Sequence, residues 1–341
     1  MNIRRTTSLL ACGAAAIAIA ATASTSAEAK LKRITIGSNA QGSVFFLLAS
    51  GFAKEFQQQL KIRSTAQPHA GSTVYMPVVN AGEITMGLNN SMDSGAAVRG
   101  APPFRKKLSN IRAIARVWVI PYGLMVKADS GITKVSDLKG KKVVTTTGPI
   151  VSLTNLNVAY LHSGGVSLKD ITAIKSGGIV DNINKVVEGR ADASAVALGM
   201  PAVRKAHAGV PGGIRILPLG GGGSDDFLNR EVPGSRGLVQ KPGKTRPFLK
   251  EPTRVAAFDA YLNAGKAVSA DDAYKIIKVL HTNWAQLQKS YGPLRGVKKD
   301  DICPPTNPHP YHDGVVKYLK EAKLWSAAHE KQQQAALAAT K

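Results

Sequence analysis

The chain has 341 residues, is 44% hydrophobic and 6% aromatic, and carries a formal net charge of +23. At roughly 150 residues per domain, that length is two lobes or one large α/β domain, either of which buries a large core. The charge raises a nucleic-acid partner first, but the basic residues are scattered, with no run of five and no aromatic-interleaved stripe to stack bases on. No nucleic-acid partner is expected, and the surface reads as a solvated basic one that gathers anionic solutes.

Residues 1–29 place Arg4 and Arg5 ahead of an Ala-rich apolar run, 9–21, followed by small residues and Ala27-Glu28-Ala29. This order predicts a cleaved secretory signal peptide with an A-x-A site, hence a periplasmic protein. A membrane anchor needs roughly 20 apolar residues in sequence, and Thr22, Ser24, Thr25 and Ser26 cut the run short. Lipoprotein processing at Cys12 and twin-arginine export from Arg4-Arg5 are weaker matches. After cleavage Cys303 is the remaining cysteine, so the mature chain forms no internal disulfide. No later segment is apolar enough to span a bilayer.

The mature chain then reads as strand 34–36, polar loop 37–43 and helix 44–58. A second helix opens at Gly71-Ser72-Thr73, runs through Val74, Val78 and Val79, ends at Gly82 and leads to strand 84–88. The same events return 107 positions later: Ile36 maps to Val143, Gly71 to Gly178, Val79 to Val186 and Gly82 to Gly189. In the second copy Val143-Val144 is the strand, 145–149 the loop and 153–161 the helix. Gly177-Gly178 opens the next helix, and 193–198 is the strand after Gly189. Two similar α/β lobes are the expectation: lobe 1 from 30–122 plus 253–341, lobe 2 from 123–252. Between the copies, 111–126 is a nearly continuous apolar stretch broken by Arg116 and Pro121, suited to a long crossing strand. Segments 220–223 and 233–252 read as surface loop, 255–262 as the return crossing, 271–290 and 313–324 as helices, and 326–341 as a helical or frayed tail.

In an open α/β sheet ligands bind beyond the carboxyl ends of the strands, where loops lead into helices. The loops after both first strands and before both second helices meet that condition and would face each other across one cleft. Helix N-termini there expose N–H groups and partial positive charge, which suit an anion. The candidate ligand-binding residues are Asn39, Gln41, Gly42, Ser43, Gly71, Ser72, Thr73, Asn90, Ser91, Thr145, Thr147, Ser152, Gly177 and Gly178. Singly, each Ser or Thr is an ordinary helix cap; the binding reading rests on their co-location.

No catalytic residue, metal site or cofactor is expected. H-E-x-x-H and G-x-S-x-G patterns are missing, and 237–245 misses the phosphate-loop spacing by one residue. His309 and His312 fit a structural turn better than a metal site. Asp225-Asp226, Asp271-Asp272 and Asp300-Asp301 stand where helix starts want caps. Cys303 has no activating neighbour in sequence.

Several blocks together resemble a known family: 34–46, then 70–88 with its A-G-E-I-T-M-G ending, 126–132 leading to Asp137-Leu138-Lys139-Gly140-Lys141, and 308–314 leading to Leu324-Trp325. They are similar to the TAXI (TRAP-associated extracytoplasmic immunogenic) solute-binding proteins. The resemblance implies a bilobed periplasmic-binding-protein fold (type II) that closes on its ligand. It also implies TRAP-type membrane permease subunits as partners, uptake driven by an ion gradient, and glutamate or another small carboxylate as ligand. Loops 38–43 and 147–152 depart from the family's glycine-rich pattern, which confines the expectation to a small polar, anionic solute, a carboxylate or amino acid. The alternatives are the binding protein of an ATP-driven importer, and an exported enzyme or sensory protein on the same lobes.

Overall fold

In the computed structural model, which describes residues 31–148 and 150–341, the chain starts as strand β1 (Arg33–Ser38), buried throughout after Arg33. The expected signal peptide, with Cys12 and Arg4-Arg5, lies outside the described residues, as does Pro149 of loop 145–149. Helix α1 (Val44–Leu60) begins at Ser43, whose Oγ accepts from the Phe46 N–H at 3.1 Å; this satisfies one of the donors a helix start leaves unpaired. Its Leu48, Phe52 and Phe56 are fully buried in the main core. Then follow β2 (Arg63–Pro68), α2 (Ser72–Ala81), β3 (Met86–Asn90), α3 (Ser91–Arg99) and the long β4 (Arg112–Lys127). A second series repeats the first: β5 (Lys142–Thr147), α4 (Val151–Ser163), β6 (Thr172–Ser176), α5 (Ile179–Val187), β7 (Ala193–Ala197) and α6 (Pro201–Gly209).

The offset of 107 seen in the sequence is built into the backbone. Helices α1 and α4 start at 44 and 151 (151 − 44 = 107), α2 and α5 at 72 and 179, and strands β3 and β7 at 86 and 193. Gly71 and Gly178 both precede their helix in extended conformation, at φ 175° and 163°. Gly82 and Gly189 both close the repeat in the left-handed region, at φ 88° and 75°, where a Cβ is disfavoured. Val79 and Val186 are buried at 1% and 0% exposure, so the shared pattern reports the same inward face in both copies.

The chain continues through β8 (Ile214–Ile216), α7 (Asp225–Glu231), β9 (Ser235–Gln240), β10 (Thr253–Ala264), α8 (Ala270–Ser290), α9 (Asp313–Glu321) and α10 (Ala327–Thr340). The sheet order is β2-β1-β3-β10-β4-β7-β5-β6, with β8 on β4 and β9 on β10. The outer strands of each half are parallel, while β4 and β10 run antiparallel to each other in the middle. Residues 112–122 of β4 pair with β10, and 122–126 pair with β7, so one strand passes from one half to the other. Both central strands are buried along nearly their whole length, which is why they read as continuous apolar runs. This is the bilobed α/β fold, two similar halves joined through long crossing strands. The interrupting Arg116 stands 3.7 Å from Asp259, which also takes two contacts from Arg236 at 2.8 and 3.2 Å.

One expectation changes. Segment 233–252 was expected as loop, yet it holds β9, which pairs antiparallel with 253–258 of β10. Ser-Arg-Gly-Leu-Val-Gln shows no clean alternation, and the strand exists because β10 offers it an edge. Of the two readings of the tail 326–341, the helical one holds, and the helix is docked. Gln333 accepts from the Tyr311 N–H at 2.8 Å and donates to its carbonyl at 2.9 Å, and His329 Nε2 lies 2.8 Å from the Cys303 carbonyl. Among the described residues no helix is long and apolar enough to cross a membrane.

Candidate functional site

Helices α1 to α6 all begin at the same place. Residues from the first turn or N-cap of each (Ser43, Ser72, Asn90, Ile150, Ile179 and Pro201 among them) line one cavity of about 490 Å³ between the halves. The convergence follows from topology: in each half the parallel strands end on the same edge, and the loops there deliver helix N-termini toward the partner half. Each terminus brings N–H groups without intrahelical partners and partial positive charge. A larger depression of about 590 Å³ lies along α1 and β2, around Lys54, and shares no lining residue with this cavity.

Of the residues picked from sequence, Asn39, Gln41, Gly42, Ser43, Ser72, Asn90, Gly177 and Gly178 line the cavity. The others stand behind or beside its wall. Gly71 is the N-cap of α2 and Thr73 its second residue. Ser91 donates to the Gly234 carbonyl at 3.0 Å and accepts from the Asp259 N–H at 3.2 Å. Thr147 Oγ1 accepts from Asn157 at 3.2 Å and Asn182 at 3.1 Å, while the Thr145 carbonyl takes a third bond from Asn157 at 3.0 Å. Ser152 Oγ accepts from Asn90 Nδ2 at 3.3 Å. These hydroxyls are consumed in holding helices to strands, which sequence position alone does not distinguish from facing a ligand.

Two parts of the site were not anticipated. The first is an aromatic floor. Trp118, Ile120 and Tyr122 are two apart on β4, so they share one face of the strand. Phe258 of β10 sits opposite Ile120 in register and meets the Tyr122 ring edge-on at 5.7 Å. Phe45 meets Trp118 in the same way at 6.4 Å. The period-2 spacing inside the apolar stretch was the available signal. Tyr122 turns its hydroxyl away from the cavity to Asn157 Oδ1, at 2.8 Å.

The second is Asp93, fully buried in the first turn of α3. Ser72 donates to its Oδ2, Asn90 Nδ2 does so at 2.9 Å, and Asn90 Oδ1 caps its N–H at 2.7 Å. Burial raises this carboxyl above its usual range, against the lowering effect of hydrogen bonds from Ser72, Ser152 and Asn90. The carboxylate thus orients two cavity-lining side chains from behind. Further back, His309 Nε2 meets Asn263 Oδ1 at 2.5 Å, and Asn263 Nδ2 donates to Asn89 Oδ1 at 2.7 Å, next in sequence to Asn90. His312 caps α9 and contacts the Val268 carbonyl at 3.0 Å. Cys303 is buried, with its thiol pushed well above the ordinary range by that burial.

Among the described residues lining the cavity, none is Asp, Glu, Lys, Arg or His. Such a wall can bind by hydrogen bonds, dipoles and apolar contact.

One solved structure shares the fold, and others are similar at lower scores. PhnD1 from Prochlorococcus marinus, in complex with methylphosphonate, superposes with a TM-score of 0.51 at 12% identity, covering 86% of this chain and 99% of that one. The alkanesulfonate-binding protein SsuA from Xanthomonas axonopodis pv. citri, bound to MOPS, gives 0.46 at 17% identity, over 88% and 94%. The substrate binding protein of an amino acid ABC transporter gives 0.45 at 16%, over 76% and 98%. At 12% identity the likeness to PhnD1 concerns the fold alone. The model of the NMT1-like family matches residues 36–322, most of the chain, and the protein therefore belongs to the NMT1-like family.

Proposed function

We propose that this protein is an extracytoplasmic solute-binding receptor that captures a small organic anion and hands it to a membrane importer. The observation that carries the reading is the cavity between two repeated halves, where helix N-termini converge and, among the described residues, no Asp, Glu, Lys, Arg, His or Cys lines the wall. Binding without chemistry is what such a wall supports, which sets the receptor above an exported enzyme on the same lobes. Export rests on the predicted signal peptide.

The importer is assigned to the ATP-driven kind. The TRAP expectation rested wholly on the resemblance to TAXI proteins, and the NMT1-like match adds no support for it. The domain reading is retained: lobe 1 from 30–122 and 253–341, lobe 2 from 123–252, closing on the solute.

The test is a thermal-shift and calorimetric screen of the mature chain against organic anions. A solute at 100 times its Kd raises stability by about 2.7 kcal/mol. Ser72→Ala and Asn90→Ala are expected to weaken each hit, and a hit that neither variant affects would reject this cavity as the site. For the partner, uptake into vesicles carrying the cognate permease should require ATP; uptake driven by an ion gradient alone would return the TRAP assignment.

A further inference from the structure

The two halves contribute unlike chemistry at equivalent positions. Where both members of a pair separated by 107 line the cavity, the first half supplies a polar side chain and the second an apolar one: Ser43 against Ile150, Ser72 against Ile179, Asn90 against Ala197. Ala70 against Gly177 is the neutral exception. The buried Asp93, which anchors Ser72 and Asn90, has Met200 as its counterpart, and Met200 lines the second half. A duplicated scaffold thus carries a polarised site: hydroxyls and amides on one wall, aliphatic groups on the other, and aromatic rings of Trp118, Tyr122 and Phe258 on the floor.

We propose that the solute is an amphipathic monoanion, a single acidic head on an aromatic body. The inference rests on the receptor reading and narrows it. The head would sit at the first half, where the side chains of Asn39, Gln41 and Ser43 can donate and three helix N-termini supply N–H groups and partial positive charge. Ser72, which donates to Asp93, and Asn90, which donates to Asp93 and Ser152, hold that wall in place. The ring would lie on the aromatic floor, whose two edge-to-face pairs hold it rigid, against Ile150 and Ile179 of the second half. A second acidic group would find backbone N–H groups but no polar side chain on the second half, whose lining side chains are aliphatic, so that wall suits the apolar body better than a second head. The ammonium of an amino acid would find no carboxylate on the wall. At about 30 Å³ for each water-sized unit, the 490 Å³ cavity accommodates a single-ring acid with a short side chain.

The test titrates the full mature chain with benzoate, phenylacetate and 3-phenylpropionate, alongside succinate, glutamate and the neutral benzamide, read by calorimetry and tryptophan emission. An aryl monocarboxylate is expected to bind at least about tenfold more tightly than succinate, glutamate or benzamide, since each of those leaves the aromatic floor or the polar wall unmatched. Ile179→Ser should weaken the aryl acid by about tenfold, by placing a hydroxyl against its ring, with Phe258→Leu as the second variant on the floor. Ser72→Ala should weaken it from the head side. If succinate or glutamate binds as tightly as the best aryl acid, and Ser72→Ala weakens it, the ligand class is overturned while the receptor stands. If no compound in the panel binds, the aryl-monoanion class is overturned, and the receptor reading falls only if the wider anion screen also yields no hit.

Discussion

Asn90 and Ser152, 62 residues apart in sequence, meet between the halves: Asn90 Nδ2 donates to Ser152 Oγ at 3.3 Å, at the N-terminus of α4. The same amide donates to Asp93 at 2.9 Å, so the contact joins the anchored wall of the first half to the first helix of the second. Ser152→Ala removes this link without touching the cavity lining. The expected result is a stability loss of about 1 kcal/mol and faster solute release in stopped-flow emission, with the association rate little changed. Asn90→Ala also removes the cap on Asp93 and should cost about 1–2 kcal/mol, with a larger loss of affinity. Equal release rates for Ser152→Ala and wild type would show that the contact does not hold the halves together.

The carboxyl of Asp93 sits above its ordinary range in the fold, first because of burial. A group of this kind keeps its proton better when folded, so its contribution is most favourable at acid pH and declines as pH rises from the unfolded value through the folded one. Asp93→Asn retains an acceptor for Ser72 and Asn90 and removes the charge. Its melting temperature at pH 7 should equal or exceed that of wild type, and its advantage should disappear on acidification. A variant several degrees less stable at pH 7 would contradict this account.

His309 works in the opposite direction. It is fully buried, and burial, aided by the charge of Arg112, pushes its pKa down to about 3. Because Asn263 Nδ2 donates to Asn89, the Asn263 oxygen faces the ring, and His309 donates from Nε2 as a neutral imidazole. The unfolded chain takes up this proton near pH 6.5 and the folded chain does not. Stability is therefore fully present above pH 6.5 and falls as pH drops below it, by about 1.4 kcal/mol per unit. His309→Gln, which keeps a donor, should flatten the acid limb of a melting-temperature profile between pH 6.5 and 4. Superimposable profiles for variant and wild type would remove His309 from the acid response.

Gly178 separates folding from binding. Its backbone is extended, at φ 163°, a conformation any residue adopts, and a Cβ added there meets nothing within 4 Å. Gly178→Leu is expected to fold within about 1 kcal/mol of wild type while its side chain fills the cavity and abolishes solute binding. Gly148 is the contrast: at φ 49°, with a Cβ placed 2.5 Å from the Gly177 carbonyl, Gly148→Ala should destabilise by about 1 kcal/mol or more. Melting curves with and without solute distinguish the two.

Much of this architecture was legible from residue order. The offset of 107 marked the duplicated halves because the inward valines and left-handed glycines recur wherever the same strand-helix unit must pack. The crossing strands showed as apolar runs because they are buried on both faces. Strand β9 was not legible, since an edge strand owes its pairing to β10 more than to its own composition. Within the site, Ser43 and Thr147 look alike as hydroxyls after a strand. Only packing shows that one lines the cavity while the other spends its oxygen on Asn157 and Asn182.

The sequence by itself determined the repeat, the polar loops at one sheet edge and the helix starts that follow them, because these depend on local spacing and on backbone groups every helix leaves unpaired. The tertiary structure decided which faces of those elements meet. It set Trp118, Tyr122 and Phe258 beneath the polar loops, buried Asp93 behind Ser72 and Asn90, and turned the aliphatic side of the second half toward the polar side of the first. Side-chain direction across a cleft depends on how two distant segments pack, and no local pattern encodes that.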